Sequence, residues 1–575
     1  MTDRWSRRAF AVLASLLLVI ATACSSGGNN TGTADQPGNA GNNESAGEDR
    51  TAAEPGEPAD PLGKYDPPIE VVTVRDLMAG STEADMNDNI INQYYEKDLG
   101  IKLKYKWTVI GDQYEQRVNL TLASGDLPDM MVVNLRQLHQ MIDAGQVEDL
   151  TAAWENYASD DLKQSLTANG MDSFEMATVD GKLYGIPLIT PMVDTAHALF
   201  IREDWRQKLG LPEPKTYEDL EKIMYAFATQ DPTGTGKKTY GLNITKDLYT
   251  NGFDITSFAN MFHAYPNAWI EDESGNIVYG SVQPEMKEAL AALQKLYKDG
   301  LIDKEFTVRD EGKAGEAVIK EQVGAFFGVQ WTHWISGAGV DLYKKNLESD
   351  WKVYPIPSID GTPAKVNVYN NTNSFLVVRK GFEHPEAGVK MLNWIHLMGH
   401  GPQPIPYEEW QELWANWGYA FLRPETIHAN MQRWLNTFEA LETGDTSKVE
   451  KNYLNKEQYE DIKAFVEQGD KMRKSNKEED KEWAKVRWGW MLSGRVFQIA
   501  DDYEKNGRLM IDKRGAYVSP AMLEKQATLS KLEQSTFTRI ITGESSIDEF
   551  DKFVKEWENL GGKEITQELN EWAKK

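Results

Sequence analysis

Cysteine and positive charge are both scarce in this sequence, and each scarcity excludes a class of protein. Cys24 is the single cysteine among 575 residues, so the chain can form no internal disulfide and no cysteine-based zinc or iron–sulfur site. The 62 lysines and arginines are outnumbered by 89 aspartates and glutamates, which leaves a formal net charge of −27. A charge of this sign repels phosphate backbones and anionic lipid surfaces. We therefore expect no nucleic-acid partner.

Long hydrophobic runs are also missing beyond the N-terminal segment. Arg4, Arg7 and Arg8 precede residues 9–23, which are almost entirely apolar. As a helix, such a run rises about 22 Å, which is less than the roughly 30 Å of a bilayer's hydrocarbon core. A charged start followed by a short apolar run is typical of a secretory signal. We predict that residues 1–23 are a signal peptide and not a membrane span.

The residues around Cys24 indicate a lipid anchor and a tether. Small residues at 21–23 precede the cysteine, and this resembles a bacterial lipobox, in which Leu is usual three residues before the cysteine. The resemblance implies that Cys24 is lipidated and holds the protein at the extracellular face of the cytoplasmic membrane. Ordinary signal-peptidase cleavage, with the cysteine incidental, is the alternative. Residues 25–64 contain no aromatic residue and cannot bury enough surface to fold, so residues 24–64 are predicted to be a lipidated cysteine and a disordered tether.

Strand and helix patterns alternate along the rest of the chain. Residues 69–74, 101–109 and 130–133 are predicted strands separated by amphipathic helices. This βαβαβα order is typical of a mainly parallel sheet covered by helices. The pattern restarts at 196–201, and a chain of this length is too long for one ordinary domain, so we expect an α/β protein with two lobes. Residues 400–500 are helix-rich and contain seven of the 18 tryptophans, which favours a helical insertion.

Motifs that would indicate a metal, ATP or an enzyme are incomplete. Residues 231–242 have the outline of a calcium loop, but threonine stands at its third and fifth positions and leucine at its twelfth. The same segment lacks the first glycine and the final Ser/Thr of a phosphate loop. His396 and His400 lie four residues apart without the glutamate of a zinc-protease motif. We therefore expect no metal, no cofactor and no ATP hydrolysis.

Aromatic residues beside polar turns are the strongest indication of a binding site. Trp331 and Trp334 follow the apolar run 325–328, and open α/β sheets bind ligands at the ends of their strands. Trp269 precedes a predicted hairpin. Flat aromatic rings suit the apolar faces of sugar rings, whose hydroxyls need polar partners. The alternative interpretation of each tryptophan is that its ring packs in the core. This alternative is weakest for Trp331.

Several short motifs, in their order along the chain, resemble one known family. The motifs are GKLYGIP at 181–187, FIREDW at 200–205, LGL at 209–211, the turn at 231–242, the segment 351–361 and the segment from ITG at 541–543 to IT at 565–566. Together they are similar to the family 1 extracellular solute-binding lipoproteins of carbohydrate ABC importers. The nearest subgroup is the LplA-like lipoproteins, which are related to alginate- and maltose-binding proteins. The resemblance covers residues 69–575.

The resemblance implies a hinged, two-lobed fold of the type II periplasmic-binding-protein class, with discontinuous lobes and a helical insertion. Lobe 1 would comprise residues 65–195 and 372–500, and lobe 2 would comprise residues 196–371 and 501–575. The chain would cross between the lobes near 192–198, 369–374 and 495–510.

Carried over position by position, the resemblance also implies ligand contacts. Trp331 corresponds to a stacking tryptophan and Trp269 to the aromatic residue before the hairpin, while Asn134 ends a strand of lobe 1. The amides before residue 375 would bond to sugar hydroxyls. The predicted ligand-binding residues are Trp331, Trp269, Trp334, Asn134, Tyr369, Asn371 and Asn373.

The predicted function is capture without chemistry. A monomer would close its lobes on an oligosaccharide and present it to the permease subunits of an ABC transporter. A membrane-anchored glycoside hydrolase or lyase that uses the same aromatics is the main alternative, since carboxylate pairs are too common here to test for one. A lipoprotein that binds peptides or acts as a scaffold is a third class.

Overall fold

The computed structural model describes most of the chain beyond residue 58. The described residues are 59–77, 82–87, 89–110, 113–168, 172–189, 192–250, 252–368, 374–423, 428–515 and 517–574. The predicted signal peptide, Cys24 and most of the predicted tether lie outside these ranges. Within them, no helix is both long enough and apolar enough to span a bilayer.

The described residues form short strands and many helices. The strands are β1 (Ile69–Leu77), β2 (Ile101–Ile110), β3 (Met130–Val133), β4 (Thr178–Val179), β5 (Lys182–Leu183), β6 (Ile186–Pro187), β7 (Ala198–Arg202), β8 (Trp269–Glu271), β9 (Ile277–Tyr279), β10 (Ala325–Gly328), β11 (Trp351–Tyr354), β12 (Val366–Val368), β13 (Phe375–Val378) and β14 (Leu509–Ile511). The helices are α1 (Glu83–Asn87), α2 (Ile90–Tyr94), α3 (Tyr114–Ser124), α4 (Leu135–Asp143), α5 (Thr151–Tyr157), α6 (Asp160–Leu166), α7 (Asp172–Met176), α8 (Glu203–Lys208), α9 (Tyr217–Thr229), α10 (Thr256–Asn260), α11 (Pro284–Lys298), α12 (Glu311–Ile319), α13 (Ala338–Lys345), α14 (Ala387–His400), α15 (Tyr407–Ala415), α16 (Ala429–Thr443), α17 (Tyr453–Arg473), α18 (Glu478–Lys505), α19 (Pro520–Thr542), α20 (Glu549–Trp557) and α21 (Lys563–Trp572).

The last residues of the predicted tether are held against helix α14. Asn393 Nδ2 donates to the Pro61 carbonyl at 3.0 Å, and Lys390 Nζ donates to the Gly63 carbonyl at 2.8 Å. These side chains bond to two backbone carbonyls of the segment 59–64 and hold it to the fold. The prediction that residues 24–64 are a lipidated cysteine and a disordered tether stays a prediction.

The N-terminal strands build one hydrophobic core. β1 is parallel to β2, with Ile69 opposite Ile101, and β13 lies between β3 and β6 and is antiparallel to both. Their buried side chains pack with those of α4, α6 and α14. We call this core cluster 1, and its residues include Val71, Ile101, Val133, Leu138, Leu162, Phe375 and Leu392.

A second core surrounds β7, which lies between β10 and β11 and is antiparallel to both. All of its residues are buried, as expected of a strand covered on both faces. Because side chains alternate along a strand, the two faces enter different clusters. Cluster 2 includes Leu199, Ile201, Leu220, Leu290 and Phe537, and cluster 3 includes Ala198, Phe200, Ala314, Leu342 and Trp488.

The strand pairing corrects the expectation of a mainly parallel sheet. Among the described strands, β1–β2 and β12–β14 are parallel, and the six other pairs are antiparallel. The expectation is wrong because β3 and β7 take partners from distant parts of the chain. Local alternation of strand and helix does not reveal such partners.

The helical region after β13 packs against both cores. Trp410 of α15 belongs to cluster 1, Trp434 of α16 belongs to cluster 2, and Trp488 of α18 belongs to cluster 3. The division of the chain into lobe 1 (65–195 and 372–500) and lobe 2 (196–371 and 501–575) stays a prediction. An apolar stripe shows which face of a helix is buried, but not which core receives it.

Candidate functional site

A cavity of about 570 Å³ lies between strands of cluster 1 and the residues that follow β10. β1, β3 and the segment after α15 supply one side, while Trp331 and Asn430 supply the other. Its lining residues are Val74, Arg75, Asp76, Tyr114, Val132, Leu188, Ile189, Asp194, Thr195, Trp331, Ser374, Phe421, Arg423 and Asn430. This volume is within the range of about 300–1,000 Å³ that is typical of ligand pockets.

Arg75 and Asp76 lie near the end of β1 and differ in their burial and in their contacts. Arg75 donates from Nη1 to the Phe421 carbonyl at 3.1 Å and from Nη2 to the Gly418 carbonyl at 3.3 Å. Its Nε lies 3.6 Å from Asp76 Oδ1. Arg75 is only 8% exposed, whereas the Asp76 side chain is 44% exposed. Arg75 therefore positions the segment that carries Phe421, and Asp76 presents its carboxylate to the cavity.

Hydrogen bonds join the segment before β7 to the helical region. Asn430 Nδ2 donates to Asp194 Oδ2 at 2.7 Å, and Arg433 Nη2 donates to Asn430 Oδ1 at 2.8 Å. Arg433 Nε continues the chain by donating to Gln458 Oε1 at 2.8 Å. Asp194 lies in the 3₁₀ turn Met192–Thr195. These bonds fix an amide and a carboxylate on the cavity wall, at the point where the chain leaves cluster 1.

Trp331 is half-buried in the cavity wall, and the residues behind it are tightly packed. Thr332 is fully buried, and a Cβ atom on Gly328 would lie 2.2 Å from its Oγ1. His333 Nε2 donates to the Gly489 carbonyl at 2.8 Å. Burial lowers the pKa of His333 to about 4, so this ring is neutral at neutral pH. The packing leaves Trp331 as the residue that this segment presents to the cavity.

Tyr114 adds a second ring to the wall. Its hydroxyl donates to the Val132 carbonyl at 2.9 Å, and its ring centroid lies 5.7 Å from that of Trp107. Burial raises the pKa of Tyr114, so the hydroxyl stays protonated. The wall therefore combines apolar ring surface with carboxylate, amide and hydroxyl groups, which is the mixture that a sugar requires.

The structure brings only one of the predicted tryptophans to this cavity. Trp269 is 3% exposed and packs against Tyr279 and Trp557, with ring centroids 5.0 and 6.2 Å away. Trp334 packs against cluster 3, and its ring centroid lies 5.5 Å from that of His333. Both positions correspond to the core-packing alternative that the sequence left open.

None of the predicted polar residues is among the described residues that line this cavity. Asn134 caps α4, where its Oδ1 accepts from the Gln137 amide at 2.9 Å and its Nδ2 donates to Glu115. It is not among the lining residues, because its side chain is used in the cap. The remaining three, Tyr369, Asn371 and Asn373, lie outside the described residues. Ser374, which follows them directly, lines the cavity.

Sequence reasoning missed Arg75, Asp76, Tyr114, Phe421 and Asn430. A signal existed for the first two, because a charged pair ends the otherwise apolar run VVTV of β1. No local signal marks Phe421 or Asn430. They reach the cavity through α15 and α16, which pack against different cores.

Among the described residues, no group of three or more His, Cys, Asp or Glu side chains could hold an ion. His396 and His400 lie on α14 with ring centroids 5.2 Å apart, beside a separate cavity. At the glycine-rich turn, the Asp231 carboxylate accepts from the Gly236 amide at 2.8 Å and from Thr233 Oγ1 at 2.8 Å. The turn is therefore closed by its own hydrogen bonds.

Comparison with protein-family models shows the family to which the chain belongs. The family model described as bacterial extracellular solute-binding protein matches residues 79–396, which is more than half of the chain. The chain belongs to this family. Membership confirms the predicted family and the prediction that this solute-binding protein is a binding component and not an enzyme.

Curated relatives match different shares of this solute-binding protein. Lipoprotein LipO of Bacillus subtilis (strain 168) is 28% identical over 232 residues, which are 40% of this chain and 44% of LipO. The polygalacturonan/rhamnogalacturonan-binding protein YtcQ of the same strain is 24% identical over 473 residues, with 80% and 82% covered. The fructooligosaccharide ABC transporter substrate-binding protein FusA of Streptococcus pneumoniae serotype 4 is 28% identical over 259 residues, with 41% and 46% covered. The chain thus spans less than half the length of LipO and FusA in these matches.

Solved structures share the fold over nearly the whole length. An extracellular solute-binding protein from Bifidobacterium longum subsp. infantis has a TM-score of 0.61 at 16% identity, covering 89% of this chain and 99% of its own. FusA of S. pneumoniae in complex with fructo-nystose has a TM-score of 0.58 at 17% identity, covering 88% and 98%. At these identities the likeness concerns the fold. It confirms the predicted two-lobed, type II periplasmic-binding-protein-like class.

Proposed function

We propose that this solute-binding protein captures an oligosaccharide in the cavity that contains Trp331 and delivers it to the permease subunits of an ABC transporter. The observation that carries the proposal is the position of Trp331, half-buried in a wall that also presents Asp76, Asp194 and Asn430. A ring face can cover one side of a sugar while carboxylate and amide groups bond to its hydroxyls. The printed names of YtcQ and FusA, which both refer to glycans, support the same ligand class.

Closure of two lobes is the proposed mechanism of capture. The cavity has cluster 1 strands on one side and Trp331 on the other, so a bound ligand would bridge the two cores. A ligand that contacts both sides favours the closed state in proportion to its difference in affinity for the two states. The turn Met192–Thr195, which lies between β6 and β7 and lines the cavity, is the proposed hinge. We propose that the unit of capture is a monomer.

The segment 369–373 is the proposed location of further polar contacts. Ser374 lines the cavity, and Asn371 and Asn373 immediately precede it in the sequence. Tyr369 follows β12 directly. We propose that these three side chains reach the ligand from the second crossing between the lobes.

A lipid anchor at Cys24 is proposed for the location of the protein. The chain belongs to an extracellular family, and its relative LipO is named a lipoprotein. Residues 1–23 would direct export, and lipidated Cys24 would hold the protein at the extracellular face of the cytoplasmic membrane. Labelling cells with radioactive palmitate tests this, since a Cys24→Ala variant should lose the label and appear in the medium.

Isothermal titration of the purified protein against a panel of oligosaccharides tests the proposed function. We expect at least one glycan to bind, and we expect mass spectrometry to recover it intact after prolonged incubation. Trp331→Ala should weaken its binding at least tenfold. Trp490→Ala is the matched control, because Trp490 is 36% exposed, lies on α18 and is not among the residues that line the cavity. Cleavage of the glycan would favour the glycosidase or lyase alternative, and binding that is indifferent to Trp331 would remove the cavity from the proposal.

A further inference from the structure

We propose that the oligosaccharide is uncharged, because the described residues of the cavity wall include as many carboxylates as guanidinium groups and the buried arginine among them donates to protein acceptors. This inference rests on the proposed function, and it names the chemical class of glycan that the same site accepts. The relatives do not decide the question. YtcQ is named for acidic pectic polymers and FusA for fructooligosaccharides.

Formal charge on the wall is balanced. Among the described residues, those that line it and carry a charge are Arg75, Arg423, Asp76 and Asp194, and their formal charges sum to zero. A site built for a polyuronate needs an excess of cations, since each sugar unit brings a carboxylate that must be matched when water is removed. The chain as a whole carries no excess of cations, since its formal charge is −27.

Arg75 is poorly placed to bind a ligand carboxylate. A carboxylate is held best by two parallel N–H donors of one guanidinium. One N–H of Arg75 Nη1 and one of Nη2 donate to the carbonyls of Phe421 and Gly418, and Nε lies 3.6 Å from Asp76 Oδ1, so a ligand carboxylate at the Nε edge would meet the Asp76 carboxylate. A uronate that recruited these donors would release the segment that forms part of the wall. The guanidinium therefore supports the cavity and does not serve as an anion clamp.

The carboxylates of Asp76 and Asp194 favour a neutral ligand over an acidic one. A carboxylate accepts hydrogen bonds from sugar hydroxyls, but it repels a second carboxylate at short range. The Asp76 side chain is 44% exposed, so it meets the ligand directly. Asp194 lies at the turn before β7, and its Oδ2 is already oriented by Asn430. The acceptors of this wall suit hydroxyl groups.

Titration calorimetry with matched glycans tests the inference. The pairs share linkage and ring configuration and differ at C6, for example α-1,4-linked galactotriose against α-1,4-linked trigalacturonate, and mannan fragments against mannuronate oligomers. Fructo-, gluco- and xylo-oligosaccharides complete the neutral set. We expect the ligand that binds most tightly to be neutral, with its uronate counterpart at least tenfold weaker. We also expect the affinity for the neutral ligand to be the same at 20 and 300 mM salt, because no ion pair forms.

Removing one carboxylate from the wall should reduce the preference of the cavity for neutral over acidic glycans. Asp76→Asn is expected to reduce the ratio of neutral to acidic affinity at least threefold. Glu70→Gln is the matched control, because Glu70 lies on the same strand, is 47% exposed and also faces a cation, Lys104. It should leave the ratio unchanged.

The possible results separate this inference from the proposed function. A uronate oligomer that binds as tightly as its neutral counterpart, or tighter, would overturn the inference while the proposed function stands. A ratio that Asp76→Asn does not change would overturn the role given to the wall charges. Absence of binding by every neutral and acidic glycan would overturn the proposed function itself, and the inference with it.

Discussion

Trp331 and Trp269 are the same residue type, each beside a strand and a polar turn, yet the structure gives them opposite surroundings. Trp331 follows β10 and faces a cavity, whereas Trp269 begins β8 and is enclosed by Tyr279 and Trp557. The difference arises outside both local sequences, because Trp557 of α20 packs against the Trp269 ring, whereas α18 bonds to Gln330 and His333 on either side of Trp331 and leaves its ring half-buried in the cavity wall. An aromatic residue beside a turn therefore indicates a ligand site only when the element that would cover it is known.

The largest expected effect is on stability at Trp269. Trp269→Ala should lower the free energy of unfolding by about 3–5 kcal/mol, because it removes a buried ring and leaves a cavity among aromatic neighbours. Trp331→Ala should cost less than Trp269→Ala, since the Trp331 ring is only half-buried. Urea unfolding of both variants measures the difference between their free energies of unfolding. Equal losses of stability would contradict the different surroundings of the two rings.

Stability should also fall in acid because of the buried histidines. Burial lowers the pKa of His333 and of His197 to about 4, and an unfolded histidine has a pKa of about 6.5. Between these values the unfolded chain binds more protons, so each site contributes stability that is present above pH 6.5 and is lost as the pH falls towards 4. The loss is about 3 kcal/mol per site.

Urea unfolding at pH 7, 6 and 5 measures this slope. His333→Gln keeps a hydrogen-bond donor near the Gly489 carbonyl and should make the slope shallower. His139→Gln, at an exposed position on α4, serves as the control. An unchanged slope in His333→Gln would show that the histidine behind Trp331 is not held neutral by the fold.

The third prediction concerns the cluster 1 side of the cavity. Arg75→Lys keeps the charge but loses the guanidinium that spans the Phe421 and Gly418 carbonyls, and it should cost about 1–3 kcal/mol. Ligand affinity should fall with it, because the wall around Phe421 loses its support. Arg136→Lys, at a surface ion pair with Glu115, should change neither property. Affinity that survives Arg75→Lys would contradict the positioning role.

The fourth prediction concerns Gly489 of α18, which lies against Trp334. A Cβ atom there would lie 2.5 Å from Trp334 Cζ2 and 2.7 Å from Val340 Cγ1, so Gly489→Ala should cost about 1–2 kcal/mol by overpacking. The displaced Trp334 side chain should disturb the neighbouring Trp331 segment and weaken ligand binding. Gly361→Ala has nothing within 4 Å of the added atom and should be neutral. Thermal unfolding and titration of the two variants measure both effects.

Much of the fold could be predicted from local pattern. The predicted strands at 69–74, 101–109 and 130–133 are present as β1, β2 and β3, and Trp331 at the end of β10 lines the cavity. These features depend on residues close together in sequence.

The rest depends on pairings over long distances. Arg75 meets the carbonyl of Phe421, which lies 346 residues away, and Asp194 meets Asn430 across 236 residues. No periodicity within β1 or α16 specifies such a partner. For the same reason, the local sequence does not show which core receives α16 or α18.

A crystal structure of the protein with the glycan that binds most tightly tests the central claim most directly. The account predicts a neutral sugar ring lying flat against the Trp331 indole at van der Waals distance, with hydroxyls bonded to Asp76 and Asn430 and the two cores closer together than without ligand. A glycan bound at another surface, or one in this cavity without contact to Trp331, would contradict the account.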